Sequence, residues 1–264
     1  MHKFWEFKAL GNAGELFLYG EISDVSWWGD EVTPAQFQKD LAALGDVSVL
    51  DVYINSPGGD IFAGFSIYNI LQRHKAEKTV HVDGLAASAA SVVAMAGDVI
   101  KMPENATLMI HNAWTYTGGG AEDLRKTADE LERLNRQIAD IYAARTGKDK
   151  DKIAAMMSAE TWMSGKEAKE AGFADELIEN KKIAACANAG KYFARYKHAP
   201  DINEPDNGGE IQPTTDTTNA ALAEQRISIH APHEGERLQR RGQPQHGQHI
   251  SIHAPHEGER RLRT

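Results

Sequence analysis

The sequence contains a single cysteine, Cys186, among its 264 residues. One thiol can form no internal disulfide and cannot supply a cysteine-based zinc site. This fits a reducing compartment, although a bacterial secreted protein could also lack disulfides. Long apolar runs are also missing. The longest weakly polar stretch, residues 84–97, spans 14 residues and is too short to cross a bilayer. Charge and glycine interrupt the first residues before a signal-peptide core forms. We therefore expect a cytoplasmic protein without membrane association.

The chain also lacks an excess of basic residues. It carries 29 Lys and Arg against 38 Asp and Glu, a net charge of −9. Residues 226–264 contribute +3, which leaves −12 on residues 1–225. Such an acidic body repels phosphate groups, so nucleic acid is not an expected partner. The composition, 41% hydrophobic and 25% charged, is that of an ordinary globular protein.

Residues 200–264 differ in composition from the preceding chain. They are polar, rich in turn formers and poor in large apolar side chains, and they contain ISIHAPHEGER twice, at 227–237 and 250–260. The repeated H-x-x-H pairs, His230/His233 and His253/His256, would suit a metal-binding tail. The repeat also resembles translated interspersed repetitive DNA of bacterial genomes, which favours a tail with no selected structure. We predict a folded domain over 1–199 and a disordered tail over 200–264.

The first 180 residues alternate short apolar strands with helical patterns. The patterns predict strands at 15–22, 48–56 and 79–84, with two more in DVIKM and TLMIHN. Helices are predicted from Thr33-Pro34 to about Leu44, over 61–74, over 86–96 and over 121–145. The last of these has one apolar stripe, and Gly147 ends it. Repeated strand–helix–strand units predict an α/β fold with a mainly parallel sheet.

Three short segments at strand ends carry residues suited to chemistry. In GLAASAAS, 84–91, Ser88 lies at a strand-to-helix turn, where free N–H groups favour negative charge, although capping the helix is the commoner role of serine there. NSPGGD, 55–60, places paired glycines after a strand, either as a nest of amides for an anion or as a tight turn. His111 ends the strand of LMIHN, where a structural histidine is the alternative. Because ligands bind at the carboxyl ends of parallel strands, we expect these segments to converge as nucleophile, base and oxyanion donors.

The residues from Glu15 to about Glu179 resemble the proteolytic subunit of Clp protease, and especially its phage-encoded relatives among head maturation proteases. The motifs YINSPGGDIFAGFSIYN, DGLAASAASVVAMAGD, ATLMIHN and ETWMSGKEAKEAGFAD occur in the family's order over about 165 residues. The resemblance implies a ClpP/crotonase-like spiral of β-β-α units, with residues 121–145 as a protruding handle helix. It also implies homo-oligomeric rings that stack through that helix. The alternative is that the apolar stripe of the helix packs on its own domain.

The resemblance assigns the nucleophile to Ser88, the base to His111 and the oxyanion-hole amides to Gly59 and Ala89. The third member of the triad falls on Glu160, where housekeeping subunits have aspartate. A glutamate can orient an imidazole but needs different backbone placement, and a solvated acid is the alternative. No metal or organic cofactor is required by this chemistry.

The resemblance therefore implies a serine endopeptidase of the bacterial host cytoplasm, acting on phage capsid or scaffold precursors. No convincing match to the axial loops that engage a Clp-type ATPase is present, which weakens the case for such a partner. Both an ATP-independent and an ATPase-assisted peptidase stay open. Two other functions stay open on this fold: crotonase-like acyl-CoA chemistry, and a catalytically inactive assembly or scaffold protein.

Overall fold

The computed structural model describes residues 3–23, 34–179 and 196–199. Cys186, Thr33 and the whole tail from 200 lie outside these ranges, so the predictions made for them stay predictions. The described chain forms these elements in order: β1 (Trp5–Leu10), β2 (Ala13–Tyr19), α1 (Pro34–Ala42), β3 (Val49–Ser56), α2 (Ile61–Arg73), β4 (Glu77–Ala87), α3 (Ala89–Ala94), β5 (Val99–Pro103), β6 (Thr107–Ile110), α4 (Ala121–Thr146), α5 (Lys150–Ser158), β7 (Thr161–Ser164), α6 (Gly165–Glu170) and β8 (Glu176–Ile178).

The strands join one sheet that is mainly parallel. Its main path runs β1-β2-β3-β4-β5-β8, while β6 pairs with β4 and β7 pairs with β6. The β1–β2 and β6–β7 pairs are antiparallel, and all the other pairs are parallel. The predicted α/β class with a mainly parallel sheet is therefore confirmed.

Strand β4 is longer than the sequence pattern indicates, and this length creates the setting for Ser88. Its first half pairs with β5, and its last residues pair with β6, with Ala86 opposite Leu108 and Ala87 opposite Met109. The prediction of a helix from Ala86 is wrong at its start, because the ladder with β6 holds Ala86 and Ala87 in the strand. The helix begins only at Ala89, immediately after the turn at Ser88.

The core follows from alternating burial on the strands and from capped helices packed against them. In β3 every second residue is buried, as in β2, which is the period expected of strands with one covered face. Helix α2 begins after Asp60, whose carboxylate accepts the Ala63 N–H at 2.7 Å. Strand β1 has no such alternation, because only Trp5 of its residues is buried, and the pattern therefore did not predict it.

The long helix α4 is buried along only part of its length. Leu134, Ile138 and Tyr142 pack into the core of this chain, whereas Leu124 is 45% exposed. Packing on its own domain thus accounts for the second half of the predicted stripe, and Leu124 in the first half has no such cover within the described residues. The helix ends at Gly147, as predicted, in a left-handed cap with φ of 67°. Of the helices in the described ranges, none is both long and apolar enough to span a membrane.

Candidate active site

Ser88 occupies a sharp turn between β4 and α3. Its backbone has φ of 56° and ψ of −126°, a conformation that costs a serine about 1–3 kcal/mol and is maintained by the surroundings. The Ser88 N–H donates to the Met109 carbonyl on the neighbouring strand at 2.9 Å, which fixes the turn against β6. The Ser88 side chain makes no capping hydrogen bond to α3, so the commoner capping role does not apply here.

His111 lies directly after β6, at the same edge of the sheet as Ser88. Its Nε2 is 2.7 Å from the Ser88 Oγ, a hydrogen-bonding distance. The imidazole is only 8% exposed, and burial lowers the pKa of His111 to about 4. The ring is therefore neutral at pH 7, and a neutral Nε2 can accept the serine proton. The two residues that the sequence predicted to converge are in direct contact.

The glycine loop after β3 packs directly against the turn at Ser88. A Cβ atom on Gly58 would lie 2.7 Å from the Ser88 Cβ and 2.9 Å from the Ala89 nitrogen, so the two backbones touch. The loop is fixed from its other side by Ile22, whose N–H donates to the Gly58 carbonyl and whose carbonyl accepts the Asp60 N–H, both at 2.8 Å. The N–H of Gly59 takes no part in this bridge.

The backbone of Glu160 lies beside His111. Strands β6 and β7 are antiparallel, and their last paired residues are Ile110 and Thr161. Continuing that register by one residue sets Glu160 opposite His111. Glu160 itself has a φ of 51°, which is uncommon for a residue other than glycine and indicates a position maintained by its surroundings. The fold thus brings the backbone of the predicted third triad residue next to that of His111.

The Glu160 side chain, however, takes other partners. Its carboxylate accepts the backbone N–H of His198 at 2.7 Å, the N–H of Lys197 at 3.0 Å and the indole N–H of Trp162 at 3.2 Å. Within the described residues, no hydrogen bond joins Glu160 to His111. Three N–H donors thus reach this partly exposed carboxylate, and whether Glu160 acts in a triad stays a prediction.

A short segment from far along the chain covers the site. We call residues Tyr196–Ala199 the strap. The Tyr196 ring meets the His111 ring edge-on at 5.3 Å between centroids and the Trp162 ring at 5.4 Å, and its hydroxyl donates to the Pro57 carbonyl at 2.5 Å. Tyr196 is 8% exposed, in an apolar cluster separate from the main core that also contains Leu85, Ala87 and Met109.

Sequence reasoning did not find the strap or the support beneath Ser88. The strap follows no periodic pattern, so no local signal marks it. The support consists of Ser91, whose hydroxyl donates to the Ser88 carbonyl at 2.6 Å, and Tyr142 of α4, whose hydroxyl lies 2.8 Å from the Ser91 Oγ. The placement of Ser91 three residues after Ser88 is a usable signal, but its link to α4 spans 51 residues. Within the described ranges, no cluster of three or more potential metal ligands occurs.

Comparisons with known proteins identify the family. The Clp protease family model matches residues 7–181. The ATP-dependent Clp protease proteolytic subunit of Bacteroides fragilis is 34% identical over 157 residues, which cover 58% of this chain and 76% of that protein. The subunit of Bacteroides thetaiotaomicron is 34% identical over 157 residues, with coverage of 58% and 71%, and that of Pleurastrum terricola is 34% identical over 143 residues, with coverage of 53% and 73%. The contact between Ser88 and His111 thus lies within a matched region that includes more than half of the sequence, and the chain belongs to the Clp protease family.

Proposed function

We propose that this protein is a serine endopeptidase in which Ser88 is the nucleophile and His111 the general base. The observation that supports this most directly is the 2.7 Å distance between the Ser88 Oγ and the His111 Nε2. A serine hydroxyl is a weak nucleophile unless an adjacent base takes its proton, and a neutral imidazole is such a base. Burial keeps His111 neutral at pH 7.

In the proposed reaction, His111 removes the Ser88 proton as the oxygen attacks the substrate carbonyl. The N–H groups of Gly59 and Ala89 then donate to the oxyanion, which agrees with the close packing of the glycine loop on this turn. His111 next protonates the leaving amine. It then takes a proton from a water molecule that attacks the acyl–Ser88 ester, and it returns the proton to the Ser88 oxygen as the acid product leaves. Glu160, whose backbone the strand register sets opposite that of His111, orients the imidazole and stabilises the imidazolium once its carboxylate is released from Lys197 and His198.

We propose phage capsid or scaffold precursors as substrates, on the basis of the resemblance to phage-encoded relatives and of Glu160 in place of aspartate. Incubating the purified chain with such a precursor and following its fragments by mass spectrometry tests this choice. Cleavage of an unrelated unfolded protein at the same rate would argue for a general peptidase.

We further propose that copies of this chain form rings that stack through α4. The exposed Leu124 supports this, because a helix that leaves an apolar side chain uncovered in one chain gains by packing on another. Leu124→Glu should then lower the native mass measured by light scattering. Leu177→Glu is a matched control, since Leu177 is 41% exposed but lies on β8.

A fluorophosphonate probe tests the enzymatic proposal. Labelling should map to Ser88, vanish in Ser88→Ala, and persist in Ser66→Ala, a control at a half-buried serine of α2 whose hydroxyl donates to the Phe62 carbonyl. Turnover of a peptide substrate should fall at least about a thousandfold in Ser88→Ala and in His111→Ala. Labelling that Ser88→Ala leaves intact would contradict the assignment. Binding of a CoA thioester without labelling would favour the crotonase alternative. If the chain is not labelled and binds no CoA thioester, the scaffold alternative remains.

A further inference from the structure

We propose that the strap, Tyr196–Ala199, is an internal ligand of the peptide-binding cleft and must leave before a substrate can bind. The cleft would therefore accept a peptide that bends as the strap does, with an aromatic side chain beside His111 and with two successive backbone N–H groups bonded to Glu160. This inference rests on the proposed function only for what happens after binding. The occupancy of the cleft is a separate property that can be measured without catalysis.

The aromatic anchor of the strap is Tyr196. Its ring lies between the rings of His111 and Trp162, and the remaining walls are apolar side chains of β4 and β6. The hydroxyl at the far end of the ring donates to the carbonyl of Pro57, the residue before the two glycines. A buried aromatic ring whose polar tip finds an acceptor is typical of an anchor at a protein interface.

The backbone of the strap is bound by Glu160. Two consecutive N–H groups, those of Lys197 and His198, donate to the two oxygens of one carboxylate. Hydrogen bonds to an ionised acceptor are roughly twice as strong as neutral ones. These bonds use main-chain donors, which every residue except proline supplies, so the same carboxylate can bind other peptides in the same way.

The strap contacts three parts of the proposed machinery. It contacts the glycine loop through Pro57, the base through the ring of His111, and the third carboxylate through Glu160. Because it belongs to the same chain, it competes with a substrate at a high effective concentration. While it is bound, the Glu160 carboxylate is committed to the strap, so the resting site lacks the bond to His111 that a complete triad requires.

Peptide binding to a chain that cannot react provides the test. In the Ser88→Ala background, a short fluorescein-labelled peptide with a central tyrosine is titrated with the full-length protein, and fluorescence anisotropy gives the Kd. Adding Tyr196→Ala should tighten binding about tenfold or more, because the competing anchor is lost. Adding Tyr116→Ala should change nothing, since Tyr116 is 60% exposed and packs beside Trp114 rather than in the cleft.

A second pair of variants tests one hydrogen bond of the strap outside the apolar cluster. His198→Pro deletes the N–H that donates to Glu160 at 2.7 Å, while His198→Ala keeps it. His198→Pro should tighten peptide binding and His198→Ala should not. Unchanged or weaker binding in both Tyr196→Ala and His198→Pro would overturn the proposal. Absent fluorophosphonate labelling in Tyr196→Ala with Ser88 restored would instead remove the proposed function and leave the result on occupancy standing.

Discussion

A methyl group on Gly58 has no space beside Ser88. In Gly58→Ala the new Cβ would lie 2.6 Å from the Ala87 carbonyl oxygen, 2.7 Å from the Ser88 Cβ and 2.9 Å from the Ala89 nitrogen. Two of these atoms belong to backbone, which cannot rotate away as a long side chain can. Either the glycine loop or the turn at Ser88 must therefore move by several tenths of an ångström.

Two costs follow from this substitution. The first is conformational: Gly58 has φ of +88°, and placing alanine in the left-handed region costs roughly 1–2 kcal/mol. The second is catalytic, because the displaced loop carries the proposed Gly59 donor. A misplacement of about 1 Å costs roughly a hundredfold in rate, and loss of one oxyanion donor costs about 10²–10³ in kcat. We expect a fall of about a hundredfold in kcat/KM for peptide hydrolysis.

Gly45→Ala separates the two costs. Gly45 has a similar φ of +75°, but nothing lies within 4 Å of the position that its Cβ would take. Its substitution should reduce the free energy of unfolding by roughly 1–2 kcal/mol while leaving kcat/KM unchanged. Urea denaturation and peptide hydrolysis on both variants give the comparison. Gly58→Ala with full activity would show that the loop does not position an oxyanion donor, and equal loss of activity in Gly45→Ala would show that the effect is not local.

Three other outcomes follow from single groups. The unfolded chain binds a proton at His111 near the ordinary pKa of 6.5, whereas burial lowers the pKa of His111 in the native chain to about 4. The free energy of unfolding should therefore decrease as the pH is lowered, by about 2 kcal/mol more from pH 7 to pH 5 than in His111→Asn. Equal pH dependence of the two proteins in urea denaturation would contradict the burial of a neutral imidazole. Tyr142→Phe should lower unfolding free energy by about 1 kcal/mol, since it removes the donor to Ser91, and should leave fluorophosphonate labelling nearly unchanged, whereas abolished labelling would make this bond essential to the site. Asp60→Asn should cost less stability than Asp60→Ala, which loses about 1 kcal/mol with the α2 cap, and equal thermal melting of the two would refute that role.

Much of the fold could be predicted because the spacing of apolar residues along a strand or helix reflects which of its faces is buried. The β-branched run at 48–56 and the helical spacing at 61–74 each became one element within a residue or two of the predicted ends, as β3 and α2. The errors occurred where tertiary pairing decides. Ala86 and Ala87 are small residues with good helix propensity, but a ladder with β6 keeps them in a strand, and that partner is some twenty residues away along the chain.

The proximity of Ser88 to His111 could also be predicted, since parallel strands bring their carboxyl ends to one edge and both residues stand at such ends. The state of Glu160 could not. The antiparallel register of β6 and β7 places the backbone of Glu160 beside His111. The orientation of its carboxylate, however, depends on which hydrogen-bond donors lie around it. Those donors are main-chain N–H groups 37 and 38 residues downstream, which any sequence there would carry except one with proline. The type of side chain gives no sign of such a bond. A triad inferred from motifs can therefore have its three residues in neighbouring backbone positions and still lack the hydrogen bond between carboxylate and imidazole, as long as another segment of the chain binds the carboxylate.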